Sequence, residues 1–518
     1  MMKATRRQLL AGTAAGIALT ALGPIGTGTA AAQGAGVLRV SVNQRVNTLN
    51  PLKMVNIPEA MVAELIYSTV TRLGPNMVPE PGLATKWESN RDASEWTFTL
   101  RDGVKFHDGT PFGAKDVVAT IKAILDPKTG SPGAKQIGPI KDVSVSDERT
   151  VKFVLTTPFA DLPVALAQWN ASIVPAAVLE KDPTLLESGK YGCGPFKLAN
   201  YEPGRIIRVE RYENYHVPQH PKVAAVEQII YPDLTAESAA IINGETDILL
   251  VATPADFDRL EKASGVVGVR QPSGRFLNLV LRMDQKPFDD IRVRKALQLS
   301  MDREALVEVV LEGKGRPAFD NPISPGYRYH ADTPAIPYDP DKARELLREA
   351  GHPNGLKVPL YVANRPAVRN ALAVALKEMA QPAGFDIDVQ IVPYDAYLAN
   401  IWRKANFYIG SFPMQSTEDA MFTLLFTTDA PWNDSQWNNA KFDGLVQEAR
   451  RTPDPERRKA LYTEAQRMMV DEVPYIIPIY EDLLAAHRSY VKDFRVHPRH
   501  GSFRLDEVSL GEGAPSRT

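Results

Sequence analysis

One cysteine, Cys193, in 518 residues excludes an intramolecular disulfide, a cysteine-based zinc site and an iron–sulfur cluster. Charge of one sign is missing too. Lys plus Arg is 60 against 62 Asp plus Glu, a net charge of −2, so no basic field is present to hold nucleic acid. Catalytic signatures are absent: no phosphate loop, no dinucleotide fingerprint, no Gly-x-Ser-x-Gly elbow and no His-Glu-x-x-His. The 8 histidines are scattered. His216 and His220 have the helical spacing of two metal ligands, but Pro218 and Pro221 break a helix there, so they read as a solvated loop. His497 and His500, flanking Pro498, read the same way. Glu418-Asp419 and Asp289-Asp290 are adjacent, so their side chains point apart; they read as solvated faces and helix starts, not as an acid–base pair. Cys193 sits in a Gly-Cys-Gly-Pro turn with no histidine beside it and reads as structural. These absences predict no catalytic residue, no metal site and no cofactor.

What is present is the balance of a globular chain, 44% apolar and 24% charged. At about 150 residues per domain, three or four lobes are expected. The first residues are an address. Arg6 and Arg7 precede an apolar run from Leu9 to Leu22, shorter than the roughly 20 residues of a spanning helix. Small residues then end in Ala30-Ala31-Ala32. A basic start, a short apolar middle and an Ala-x-Ala end predict an export signal, residues 1–32, cleaved near Ala32. The Thr5-Arg6-Arg7-Gln8-Leu9-Leu10 order resembles the twin-arginine type. No cysteine follows the cleavage site to accept a lipid, so a soluble periplasmic protein is expected.

Strand and helix signals alternate along the mature chain. Val37 to Val42, Trp96 to Leu100, Val151 to Leu155 and Ile206 to Val209 read as strands. Pro58-Glu59 opens a helix, Gly113 caps another with Asp116 in its first turn, and Asp302 and Asp339-Pro340 start two more. Leu372 to Met379 and Phe442 to Arg450 carry further helical patterns. This alternation predicts an α/β protein. Between Trp402 and Trp437 lie Phe407, Tyr408, Phe412, Phe422, Phe426 and Trp432, with Tyr394 and Tyr397 just before. Aromatics this dense fill a core, or, beside Pro413, Met414, Gln415, Asn433 and Asn438, line a ligand cleft.

Five blocks carry a family likeness. They are Gly82 to Glu88, Trp96 to Pro111 with Ala114-Lys115-Asp116-Val117-Val118, Gly192 to Leu198, Pro287 to Leu297 and Tyr338 to Ala343. In order and spacing they resemble the family 5 extracellular solute-binding proteins, the dipeptide, oligopeptide and nickel receptors of ABC importers. The resemblance implies a two-lobed periplasmic-binding-protein clamshell of type II-like form. Lobe I would take 34–75, 186–275 and 486–518, with a subdomain, 76–185, inserted in it. Lobe II would take 276–485. Two crossing strands, near Ser273 to Leu279 and Leu483 to His487, would form the hinge. The implied partners are a small-molecule or short-peptide ligand and the permease subunits of an ABC importer, with the receptor itself a monomer. A receptor for sensing or chaperoning and an enzyme on the same scaffold are the alternatives.

Site residues follow from the resemblance one at a time. The first-lobe segment is Val55, Asn56 and Ile57. The hinge strand supplies Phe276 and Asn278, and a cleft aromatic matches Tyr394. The family's Gly-Trp-x-Ala-Asp-Tyr motif aligns with Gly410-Ser411-Phe412-Pro413-Met414-Gln415, so Ser411 replaces its tryptophan and Met414 its aspartate. Trp432 and Trp437 complete the expected ligand-binding set. In peptide binders that aspartate pairs with the ligand's α-ammonium. A buried ammonium needs a strong acceptor, and thioether sulfur is a weak one. A small non-peptide or modified-peptide solute is therefore expected ahead of an unmodified peptide. Haem, opines, sugars, glutathione and antibiotics are the classes the resemblance offers; nickel lacks a ligand cluster.

Overall fold

Period-two alternation and capped amphipathic segments become the strands and helices they predict. The computed structural model describes residues 36–517, so the predicted signal, 1–32, lies outside the described residues. Strands run over Val37–Val42, Glu95–Leu100, Thr150–Leu155 and Ile206–Arg211, and helices over Ile57–Ile66, Ala114–Leu125, Arg303–Leu311, Pro340–Glu349, Ala367–Ala380 and Ala440–Arg450. The caps explain the starts. Asp302 accepts the Ala305 N–H, Asp339 accepts the Lys342 N–H, and the Asp116 carboxylate accepts the Gly113 N–H at 2.8 Å.

Eleven strands form one mixed sheet. Ten follow in the order Phe385–Val392, Leu356–Ala363, Phe407–Phe412, Val266–Leu281, Tyr475–Arg488, Ile248–Leu249, Val37–Val42, Ala225–Ile230, Ile206–Arg211 and Phe196–Glu202. The remaining strand, Gly315–Pro317, pairs with Tyr475–Arg488. A separate four-stranded antiparallel sheet is built from Ala84–Ser89, Glu95–Leu100, Thr150–Leu155 and Ile140–Asp147.

Two apolar masses sit on either side of the middle of the large sheet. The first joins residues between Leu38 and Leu250 to a C-terminal group from Ala485 to Leu510. The second is built from residues between Phe276 and Tyr480 in two layers. Alternation along one strand divides those layers: Leu277, Leu279 and Leu281 enter one, Phe276 and Val280 the other. The result is the α/β clamshell of two lobes. The antiparallel strands Val266–Leu281 and Tyr475–Arg488 pass through both. Their register breaks where Gln271 pairs with Leu483 but Arg275 with Glu481, so Pro272, Ser273 and Gly274 bulge out. Ser273 fastens the bulge: its hydroxyl donates to the Glu481 carbonyl at 2.9 Å and accepts the Arg275 N–H at 3.0 Å.

Away from the bulge the lobes meet at a polar joint. Arg458 forks onto Asp161 at 2.8 and 2.7 Å, both side chains buried. The Ala160 N–H donates to the Arg450 carbonyl at 2.8 Å. Leu73, Met77 and Val164 join the aromatic layer of the second lobe. Glu418 and Asp419, expected on a solvated face, do begin the helix Glu418–Leu425, but they are 2% and 3% exposed. Burial pushes their carboxyls up to about 7 and about 6, against the Tyr329 N–H that donates to Glu418 and the Arg450 charge beside Asp419. The sequence had given no sign that the chain around Asp161 would come close to them.

Candidate functional site between the lobes

The strands Leu356–Ala363, Phe385–Val392 and Phe407–Phe412 run parallel, so Ala363, Val392 and Phe412 end on one edge of the second lobe. Loops beyond such carboxyl ends are where open α/β sheets take ligands. Tyr394, Ser411, Phe412, Met414 and Gln415 all sit there. The Phe412 ring lies 6.0 Å from Phe276 and 6.1 Å from Trp432, and Trp432 lies 5.6 Å from Trp402. Three expected residues therefore form one aromatic row, with Trp432, 36% exposed, at its open end. Tyr394 is nearly parallel to Tyr397 at 6.5 Å, and the Arg365 guanidinium stands 4.6 Å over its ring.

Met414 is buried under the hinge. A Cβ on Gly274 would come within 2.9 Å of the Met414 Cγ and of the Tyr327 ring, so only glycine permits this approach. The Gln415 N–H donates to the Tyr327 hydroxyl at 2.7 Å and pins the loop. The Ser411 hydroxyl accepts from Arg369 at 2.8 Å. Arg369 is 8% exposed, and its Nε and Nη1 have no partner.

The first lobe supplies fewer of the expected residues. Ile57 packs by Trp169 and Gly501: a Cβ on Gly501, at φ +96°, would lie 3.5 Å from Ile57 and 3.1 Å from Trp169. Val55 is exposed. Asn56 is engaged in capping, its carbonyl oxygen accepting the Glu59 N–H at 3.0 Å and its amide donating to the Arg45 carbonyl. Asn278 lies inside the sheet against Gly410, both amide atoms without a partner. Trp437 is in the core, its ring 4.7 Å from Phe442 and its indole N–H donated to Glu472 at 2.9 Å. The structure thus brings Phe276, Phe412, Met414, Gln415 and Trp432 together by the hinge, with Asn278 on the same strand opposite Gly410, and leaves Val55, Asn56, Ile57 and Trp437 elsewhere.

Tyr327, Trp169, Arg499 and His500 escape the sequence reading. The segment His497-Pro498-Arg499-His500, expected to be a solvated loop, is packed: His497 is 5% exposed and bonds the Gly74 carbonyl at 3.0 Å. Burial, then the charge of Arg275, holds His500 down at about 4, so it is neutral at pH 7. Arg499 acts electrostatically on Tyr327 of the other lobe. Cys193 is buried, its thiol pushed up to about 12 by burial, and inert. Two larger surface hollows, about 620 and 940 Å³, lie around His352 and Arg101 and hold none of the expected residues. Among the described residues, no three His, Cys, Asp or Glu side chains gather as metal ligands, and no helix is long and apolar enough to cross a membrane.

Residues 78–434 match the family described as bacterial extracellular solute-binding proteins, family 5 middle. The chain belongs to this family. Its members are the solute-binding components of ABC importers, carriers and not enzymes, and the chain is one of them. It is similar to the glutathione-binding protein GsiB of Escherichia coli K12, at 28% identity over 91% of this chain and 94% of that one. It is 30% identical to the dipeptide-binding protein of the same strain, over 83% and 86%. Among solved structures, the ABC transporter substrate-binding protein CtaP of Listeria monocytogenes superposes with a TM-score of 0.82 at 24% identity, covering 93% of this chain and all of that one.

Proposed function

We propose that this receptor works in the periplasm and takes its solute at the hinge, between the row Phe276, Phe412 and Trp432 with Met414 and Gln415 on one side and the first lobe on the other. The observation that carries this is the packing of Met414 and Tyr327 against Gly274, with the row Phe276, Phe412 and Trp432 beside them. Hinge closure would then exclude water from the ligand and strengthen its polar contacts. The lobes are 34–75 with 186–275 and 486–518, carrying the insert 76–185, and 276–485; the apolar mass within residues 38–250 and 485–510 supports this division, and Leu73, Met77 and Val164 pack across it. The export signal is of twin-arginine type, cleaved near Ala32, and the released protein is a monomer that docks on its permease.

Met414 stands where peptide-binding members have an aspartate, and its thioether is a weak acceptor for a ligand ammonium. A modified peptide or a non-peptide solute fits this site better than a free dipeptide. The relative named for glutathione, a peptide with an unusual linkage, agrees with that direction. Denaturing the purified protein and identifying the released compounds by mass spectrometry tests the reading. One modified-peptide or non-peptide compound is expected. A mixture of ordinary short peptides would overturn the reading of Met414.

A further inference from the structure

The charges at the joint between the lobes do not balance. Asp161 of the insert meets Glu418 and Asp419 of the second lobe, all three buried, and two guanidiniums, Arg450 and Arg458, stand among them. Arg458 forks onto Asp161, stands 5.2 and 5.5 Å over the rings of Tyr329 and Tyr462, and donates to the Tyr462 hydroxyl at 3.3 Å. Arg450 lies 3.8 Å from Asp419 and 5.1 Å over the Phe159 ring of the insert. Glu418 accepts the Tyr329 N–H at 2.6 Å. The Asp419 Oδ1 and the Nε atoms of Arg450 and Arg458 are buried without hydrogen-bond partners. Residues 159–161 of the insert are thus clasped by two arginines beside which the second lobe has acids of its own.

Three negative charges against two positive ones leave one too many, and an unmatched buried charge is unfavourable. Asp161 repels both Glu418 and Asp419, and Arg458 attracts both. While Asp161 holds Arg458, a proton on Glu418 or Asp419 removes the excess. When both ionise, they compete with Asp161 for Arg458, and withdrawing the insert takes the third acid away. The other ionisable groups facing them leave this count unchanged. Burial pushes the hydroxyls of Tyr327, Tyr329 and Tyr462 up, so they stay neutral. Arg328, 5.0 Å over the Tyr329 ring, is exposed, where water screens it. Burial first, then the charge of Asp161, favours the protonated forms of Glu418 and Asp419 up to about 7 and about 6.

We propose that this joint is a proton-sensitive latch: with Glu418 or Asp419 protonated, Arg458 clasps Asp161 and the lobes stay together, and with both ionised the insert is released and the crease opens. This rests on the reading of the lobes as bodies that fold about the bulge, and it adds a condition on their motion. Joining the lobes raises the two carboxyl values, so the latch is full in acid and is lost as pH rises through about 6 to about 7.

The test is energy transfer between fluorophores on cysteines at the exposed Glu180 of the insert and Lys441 of the second lobe, Glu180→Cys with Lys441→Cys, in the whole mature protein without solute. Cys193 is buried and stays unlabelled. The ratio of open to closed protein should rise about tenfold or more from pH 5 to pH 8. With Glu418→Gln and Asp419→Asn added it should stay at the pH 5 value throughout, and Asp161→Asn should be open at both pH values. Circular dichroism melts confirm that the variants fold. Asp161→Leu with Arg458→Met, which removes the clasp and keeps both acids, should show no pH dependence. A ratio that does not change with pH while Asp161→Asn opens overturns the proposal. So does a pH dependence that survives in either double variant. One fixed transfer efficiency in every variant and at every pH overturns instead the reading of the lobes as moving bodies, a different failure.

Discussion

Replacing Asp161 by asparagine removes the charge that matches Arg458 across the joint between lobes. The pair is 8% and 3% exposed at its side chains, with two charge-assisted hydrogen bonds at 2.7 and 2.8 Å. Such bonds contribute about 1.5–3 kcal/mol each, and breaking a buried pair by removing one partner costs about 3–5 kcal/mol. The asparagine carbonyl still accepts one bond, so the loss should fall near the lower end, about 3 kcal/mol. At about 1.4 kcal/mol per tenfold, that is roughly a 100-fold rise in local opening. The N–H groups of Val164 and Ala165 both donate to the Asp161 carbonyl, so hydrogen exchange over residues 160–167 reads this opening directly. Protection in Asp161→Asn should drop about 100-fold. In the double variant Asp161→Leu with Arg458→Met, most of it should return, because an apolar pair replaces a buried ionic one at little cost. A loss under about threefold in the single variant, or a double variant as unprotected as the single, would refute the view that charge matching holds the joint.

Glu418 titrates near 7 when folded, above its usual value, so the folded protein binds its proton more tightly than the unfolded chain does. Its contribution to stability is therefore full at low pH and is lost as pH rises toward about 7. Urea denaturation of wild type and Glu418→Gln should show the variant gaining relative stability from pH 5 to pH 8, and a constant difference would sink this assignment. Met414→Asp should lower the melting temperature of the unliganded protein, since it buries an acid without a partner. A peptide with a free amine should restore the loss while its N-acetylated form does not; equal rescue by both would count against the alignment of Met414 with the family aspartate. Cys193 should resist alkylation at pH 8 until the protein is denatured, and labelling of the native protein would contradict its burial.

Much of the architecture was legible because local chemistry dictates it. Asp302, Asp339 and the Gly113–Asp116 pair cap helices where the chain places them, and the alternation around Trp96 becomes a strand. The candidate site was legible only where a motif carried it: Phe412, Met414 and Gln415 follow from the Gly410 block. Arg499 and His500 did not follow. Their segment is polar and proline-broken, with the local signature of a solvated loop, and its burial comes from contacts such as His497 with Gly74, more than 400 residues away. Glu418 and Asp419 mislead for the same reason, since adjacency in sequence is blind to what another lobe lays over it. Trp437 misleads in the opposite direction: its aromatic neighbours mark a core as readily as a cleft, and only the partner of its indole N–H, Glu472, decides between them.

The bulge of Pro272, Ser273 and Gly274 has a mechanical meaning. A continuous pair of strands resists shear and twist, because sliding one past the other would break every rung between Val266 and Leu281. Where the rungs are interrupted, bending is cheap. The ribbon is thus stiff along most of its length and softest at this crease, the wider of its two register breaks, the other lying between Leu277 and Leu279, so folding about that line is its easiest gesture. Substitutions in either lobe can reshape what is grasped without altering how the grasp is made, so a reporter placed on each side of the crease would register occupancy whatever the cargo.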